Sequence, residues 1–497
     1  MRKFFCIQQE RLNRYNEDFL LRYRNYSQFY EKHPVTRIDG VYITRVKITM
    51  QTTTTRFQKF LYLNEMTENT KKISLKYFKV LFSSTVAFAI YETFLILYVL
   101  EFITFAQLGI ILAIRFAIQA LLDYPTGALA DLIGHKRVLL IAYIGHIMSI
   151  SVLLLNPSFK GIMIAYILSA ISMSQESGAL ISWYDNRYNL EDGYDKDRKT
   201  YGAFHGRIQT FNTLVLGLSF VIGGLIAQYY SRKILFVIHL IMLIVTTYFI
   251  IRELDGKLQG AGELNSDSYF SQLASGINFL RDHPGINIIF IGIAINGGVI
   301  WTIWGSLMLF PTYHAYGGSD EITGLIRSSI FIIGVFWSFY AASLSKKVDR
   351  TYLTIVVLNF LGGSFFLVCM YLFQSHVSPG NGGELFPILG LMLVFQLVSL
   401  PMNLGDILNR RVFIQLIPNE LRNTVYSLLP SMVTLVGIPA ALLGGWAITN
   451  IGFVPTILII SGFTGVGTLI MAFGFYTLSQ ANVTHKPVVK PENVVVS

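Results

Sequence analysis

The chain is short of charge. Only 14% of its 497 residues are Asp, Glu, Lys or Arg, against roughly 25% in soluble domains. Hydrophobic residues make up 53%, and the mean hydropathy is +0.52. A water-soluble domain as the main body is thereby excluded. The two cysteines, Cys6 and Cys369, fall in different expected environments and suggest no disulfide. Clusters of Cys and His with metal-ligand spacing are missing too. So is a phosphate-cradling GxxxxGKS/T segment, which argues against ATP drive within this chain. With no catalytic constellation either, an enzyme is not expected, and neither is a cofactor or a metal.

What the sequence has instead is apolar length. Crossing about 30 Å of hydrocarbon takes about 20 residues of helix, and about twelve runs qualify. They lie near 77–100, 105–124, 137–155, 160–182, 208–229 and 233–251, then near 286–310, 322–343, 352–373, 386–406, 424–448 and 453–476. The fold class is therefore an all-α polytopic membrane protein. If both termini lie on one side, the five loops on that side hold sixteen Lys and Arg. The opposite loops hold three, Lys160, Arg232 and Lys233. The positive-inside rule assigns the basic side to the cytoplasm, and gaining or losing one span would destroy the bias. A multi-pass protein of the plasma membrane, with both termini cytoplasmic, is the expectation.

Residues 1–75 stand apart. Basic residues there outnumber acidic ones about two to one and supply most of the chain's formal +10. They read as a disordered cytoplasmic leader, touching anionic lipid rather than nucleic acid, for which no recognition module is present. An uninterrupted apolar core is lacking, so this is no signal peptide. Translation from Met66 would also give the short basic lead usual before a first span. A six-helix bundle is expected over 76–251, a linker over 252–285, a second bundle over 286–477 and a tail over 478–497. Within the linker, apolar residues at 269, 273, 277 and 280 put one stripe on a helix face.

The halves look like repeats. Thr213-Leu214-Val215 precedes Gly223-Gly224 in the fifth span, and Thr434-Leu435-Val436 precedes Gly444-Gly445 in the eleventh at the same interval. The most specific segment follows the second span: Pro125-Thr126-Gly127-Ala128-Leu129-Ala130-Asp131-Leu132-Ile133-Gly134-His135-Lys136-Arg137. Gly127 permits close helix packing, and Asp131 needs a partner at that depth. Gly134 permits a tight reversal, and Lys136 and Arg137 suit a cytoplasmic edge. This run resembles the loop between the second and third helices of the major facilitator superfamily. The resemblance covers roughly residues 75–478. The loop after the eighth span, 344–350, looks like a degraded copy. The ending of the fourth span, with Ser177-Gly178 and Trp183-Tyr184-Asp185, resembles efflux-type members. The glycine-rich fifth span resembles that of drug antiporters, without their proline.

The resemblance implies two bundles rocking about a central site near the midplane. It also implies an inner gate in which Asp131 meets the start of the eleventh helix, at Arg422, with Asp185, Arg187 and Arg207 at neighbouring helix ends. Leu132 and His135 depart from the usual basic residues of the motif. Among charges within the spans, Arg115 requires a carboxylate or a cavity, and Glu92 and Glu176 are its candidate partners. A membrane carboxylate that is alternately paired and unpaired can carry a coupling proton. Glu92 is the first candidate for that role or for substrate contact. Glu176 has a stronger case for a structural role, and His146 and His239 read as packed. Tyr91, Phe94, Trp301 and Trp304 would give a partly aromatic cavity. The expected function is a monomeric, proton-coupled secondary transporter of a small, lipophilic organic solute, with efflux favoured. The alternatives are an importer of the same fold, or a transporter-like receptor or scaffold that no longer translocates.

Overall fold

A computed structural model describes residues 56–176, 178–190, 195, 198–256, 266–380, 382–418 and 421–484. The side chains of 123–132, 189, 266–273, 422–424, 426–427 and 481–484 fall outside the description. Eleven of the described helices are long and apolar enough to cross a membrane. The first five long helices are Glu68–Val99, Phe105–Ile133, His135–Leu155, Phe159–Glu176 and Lys199–Tyr229. The sixth is Arg232–Glu253. Then come Pro284–Gly317, Asp320–Ser345, Thr351–His376 and Leu385–Leu416. Arg422–Asn450 and Phe453–Thr484 complete the set.

The fourth helix is the exception. Phe159–Glu176 has 18 residues, holds Lys160 in its first turn, ends in Gln175-Glu176 and carries several serines, so its apolarity falls short. It nevertheless packs between the second and third helices, which supply its apolar surroundings. The expected span 160–182 does not run through. Gly178 takes a left-handed φ of 73° and breaks it, and a separate helix, Ala179–Leu190, follows.

Order begins earlier than the leader boundary at residue 75. Thr67 caps the first long helix by accepting from the Thr70 backbone N–H at 3.2 Å, so that helix starts at Glu68. A short helix, Arg56–Phe60, precedes it, and Leu61 and Leu63 are fully buried. Phe57 meets Phe78 and Phe211 edge-on. A chain started at Met66 would lack all of these contacts. Residues 1–55 lie outside the described residues.

The linker helix runs over Ser266–Asp282. Its expected stripe is displaced, because Phe279 and Leu280 are buried whereas Ile277 is 49% exposed. Tyr269 and Leu273 lie outside the described side chains. Helix phase here follows packing against the eleventh helix, not apolar count alone.

The first six helices pack among themselves, as do the last six. The two sets meet where the second lies on the eleventh and the fifth on the eighth. For orientation, the side from which the first helix starts is termed the leader face. On the opposite face the approach is backbone to backbone. A Cβ on Gly445 would strike the Phe105 carbonyl and lie 2.9 Å from the Gly109 Cα, and one on Gly224 would lie 2.7 Å from the Asp320 carbonyl. The expected glycine repeat thus serves the two crossings between the halves. Towards the leader face the fifth and eighth helices part, and Gly202, Gly206 and Gly334 have no such neighbour.

Candidate functional site

A cavity of about 580 Å³ opens between the halves. Its walls mix aromatic and apolar residues (Phe88, Tyr91, Leu112, Ile150, Trp301, Phe310) with four charges, Glu92, Arg115, Glu176 and Arg327. Of the expected aromatics, Tyr91 and Trp301 line it. Phe94 and Trp304 are buried in packing instead, the latter against Phe366 and Phe395.

The three expected charges come together here, but not as paired. Glu92 does not meet Arg115. Its Oε2 lies 3.3 Å from an amino nitrogen of Arg327, on the eighth helix in the other half. Arg327 also donates to Thr93 Oγ1 at 3.0 Å, and its guanidinium sits 4.0 and 4.5 Å from the ring centres of Phe220 and Phe310. Two aromatic faces and a carboxylate compensate a cation placed among helices. Sequence reading missed Arg327, although a lone arginine five residues into the apolar run beginning near 322 was the available signal.

Glu176 is held within the first half. Tyr143 donates to its Oε1 at 2.9 Å, and His146 Nε2 lies 3.1 Å from its Oε2. Ser84 Oγ lies 2.7 Å from the Tyr143 hydroxyl and faces Oε1 at 3.4 Å. His146 is therefore a partner of Glu176 and not merely packed. His239 is packed, stacked on Tyr91 at 3.9 Å and bonded to the Ala87 carbonyl at 2.6 Å.

Arg115 keeps neither carboxylate. It reaches the thioether of Met173 at 2.9 Å and lies 5.8 Å from the Tyr166 ring centre. Its Nε is buried with no hydrogen-bond partner, as is the Tyr166 hydroxyl.

A second cavity, about 460 Å³, lies within the last six helices and shares Trp301 with the first. Amides dominate it: Asn296, Asn359, Asn403 and Asn409. Asn359 and Asn403 donate to the Ile355 and Ser399 carbonyls at 2.9 and 2.7 Å, and Asn403 Oδ1 accepts from the Ser338 hydroxyl at 2.8 Å. Asn409 Oδ1 is buried without a partner.

At the leader face, Gly134 adopts φ 92°, which only glycine takes without strain, and turns the chain into the third helix at His135. Lys136 Nζ caps the sixth helix through the Ile251 carbonyl at 2.7 Å, and Arg137 is exposed. Asp185 accepts from the Tyr201 hydroxyl at 2.6 Å. Arg187 stacks on Trp183 and donates to the Gly256 carbonyl at 2.9 Å. Burial lowers the Arg187 pKa, against the opposing pull of Asp255. Arg207 lies over Phe60 and Tyr62. These expected gate residues thus bind within the first half. Gly127 and Asp131 lie in the second helix, and Arg422 opens the eleventh, but their side chains lie outside those described.

Asp195 was not anticipated. Buried, it accepts from the Tyr188 hydroxyl at 2.7 Å and from the backbone N–H of Tyr201 and Thr200 at 2.9 and 3.2 Å, capping the fifth helix. Burial alone would raise its pKa, and these bonds outweigh that and hold the carboxyl below its usual range.

On the opposite face Arg232 joins the halves. It grips both oxygens of Asp320 at 2.8 and 2.7 Å and donates to Glu101 at 2.6 Å.

Helices in two sets of six around a central cavity with inward-facing charge define a membrane transport fold. Consistent with that, the Major Facilitator Superfamily pattern matches residues 78–404, and the chain belongs to that superfamily. No curated protein matches it in sequence. Among solved structures, the nucleoside transporter NupG is similar at 12% identity with a TM-score of 0.63, covering 81% of this chain and 99% of that one. A mutant of the peptide transporter POT is similar at 12% and 0.60, covering 82% and 95%. The POT family transporter PepTSo is similar at 11% and 0.60, covering 82% and 99%. At these identities the likeness is one of fold alone. The chain is an integral, multi-pass membrane protein with a transporter fold.

Proposed function

We propose that the chain is a proton-coupled secondary transporter of a small organic solute, working by alternating access, with Glu92 carrying the coupling proton and the leader face cytoplasmic. The observation that carries this reading is the Glu92–Arg327 pair, 3.3 Å long and drawn from opposite halves. A coupling carboxylate must feel the change of state. The Glu176 cluster is built from the first, third and fourth helices only and moves as one body. The Glu92 pair spans the joint, so it is made when the opposite face is closed and broken when that face opens. Protonation of Glu92 removes the charge that holds it. Glu92 is 53% exposed, towards the cavity it lines, so a proton and a solute can both reach it.

The test uses the protein in vesicles under an imposed pH gradient. Glu92→Gln mimics the protonated form, so gradient-driven accumulation should vanish while exchange of solute without net proton movement survives. If the carboxylate only neutralises Arg327, Glu92→Gln should lower stability, and adding Arg327→Gln should restore it. Full accumulation by Glu92→Gln would remove the coupling role. Gradients of both signs tell export, favoured by the resemblance of the fourth span's ending to efflux-type members, from import.

A further inference from the structure

We infer that the cavity recognises the carboxylate of an organic monoanion, through Arg115 and the hydroxyl of Tyr166. The inference rests on the transport reading above and names its substrate class. Each charge in the cavity wall can be assigned. Glu92 is matched by Arg327, and Glu176 is held by hydrogen bonds with His146, Tyr143 and Ser84. Among the described residues no carboxylate pairs with Arg115. Its one recorded acceptor is the Met173 thioether, a weak one.

A guanidinium at mid-span without an anion is too costly to keep for packing alone. Beside it the Tyr166 side chain is 95% buried by its 5% exposure, and its hydroxyl has no partner. Arg115 Nε is in the same condition. Arg115 and Tyr166 both line the cavity, and their two unused donors, buried just behind its surface, form half of a hydrogen-bond set that a ligand reaches by parting the wall. A carboxylate supplies the other half, with two oxygens for two donors and one negative charge for one positive.

The local match at Arg115 rejects other heads. A dianion would bring a second negative charge towards Glu92 and Glu176 with no second free cation among the described residues to meet it, an ammonium would face Arg115, and a neutral amide would leave the guanidinium uncompensated. The remaining wall, with Phe88, Leu112, Ile150, Trp301 and Phe310, calls for an apolar or aromatic body, and about 580 Å³ holds one.

The full chain in lipid nanodiscs should be titrated with phenylacetate, phenylacetamide, phenethylamine and phenyl phosphate. Phenylacetate should bind about 10- to 100-fold tighter than the other three, the range expected for hydrogen bonds to a charged group. Tyr166→Phe, which removes only the hydroxyl, should weaken phenylacetate severalfold and leave phenylacetamide much less affected. Arg115→Gln should abolish the preference for the acid and keep or raise the melting temperature of the empty protein, since it removes an unpaired charge. A structural Arg115 would instead lower that temperature. Equal affinity for acid and amide, or no effect of Tyr166→Phe, overturns the inference even if Arg115→Gln fails to fold.

The two readings fail separately. Selective phenylacetate binding without gradient-driven movement leaves the subsite and removes the coupling. Gradient-driven movement of a neutral solute, with no preference for the acid, does the reverse.

Discussion

The two faces of the bundle are held together differently. On the opposite face the strong contacts cross between the halves: Arg232 to Asp320, Gly445 against Phe105 and Gly109, Gly224 against Asp320. Deeper in, Arg327 reaches Glu92. On the leader face, among the described side chains, the bonds stay inside one half: Lys76 to Asp255, Lys79 to Glu253, Lys136 to Ile251, Asp185 to Tyr201 and Arg411 to Ser345. Bonds that cross a joint must break for it to move, whereas bonds within one half make that half rigid. Among the described residues the contrast sorts those that set the equilibrium between states from those that set stability.

The comparison breaks most sharply at the glycines. Gly445→Leu should hold the second and eleventh helices apart on the opposite face, because the atoms it would strike are backbone and cannot rotate away. Transport at equal folded protein should fall below about one hundredth of wild type, and cysteine labelling near residue 104 should rise. Unchanged transport would mean that this crossing is not a closing surface.

A smaller effect is expected at the clasp. Arg232→Gln leaves Asp320 and Glu101 facing each other without their cation. The closed state should lose about tenfold in population relative to its alternative, visible as a shift in labelling with little change in the amount of protein. Equal loss in both readouts would make the clasp a folding element.

Asp195 sharpens the other side. Asp195→Ala removes the cap of the fifth helix and should lower stability by about 1 kcal/mol, with transport per folded molecule unaltered. Its folded pKa lies below the ordinary aspartate value of 3.8. Its contribution is therefore complete above that value and lost as pH falls through the folded pKa. Melting temperatures of wild type and variant should differ at neutral pH and converge in acid.

Much of the scaffold was legible because burial in a bilayer imposes length and polarity on each helix separately. The twelve runs, the Gly134 turn and the glycine intervals needed no knowledge of neighbours. The fourth helix was harder, since its serines face other helices and lower its apolarity. The pairings were not legible. Glu92 and Arg327 are 235 residues apart in different halves, and His146 meets Glu176 only when the third and fourth helices take one particular rotation. Sequence shows which charges need partners, and helix packing decides which partner each receives. The cap at Thr67 was readable, yet the apolar run beginning near Tyr77 drew the boundary too late.

The seventh helix widens to a π-helix over Ile300–Met308, and the ninth does so over Leu361–Phe365. A π turn holds more residues than an α turn, as though amino acids had been inserted into the helix and absorbed without a loop. Trp301, 64% exposed, stands at the start of the first such stretch, on the wall common to both cavities. A one-residue deletion there, at Gly305 for instance, would narrow the wide turn towards an α turn and leave Pro284–Val299 and Leu309–Gly317 close to their present register. The same deletion within the α-helical Leu309–Gly317 would turn everything beyond it by about 100°. The lost width would fall on Trp301, which stands on the wide stretch. Homologous chains should therefore carry single-residue gaps within Ile300–Met308 or Leu361–Phe365 more readily than in the α-helical segments beside them.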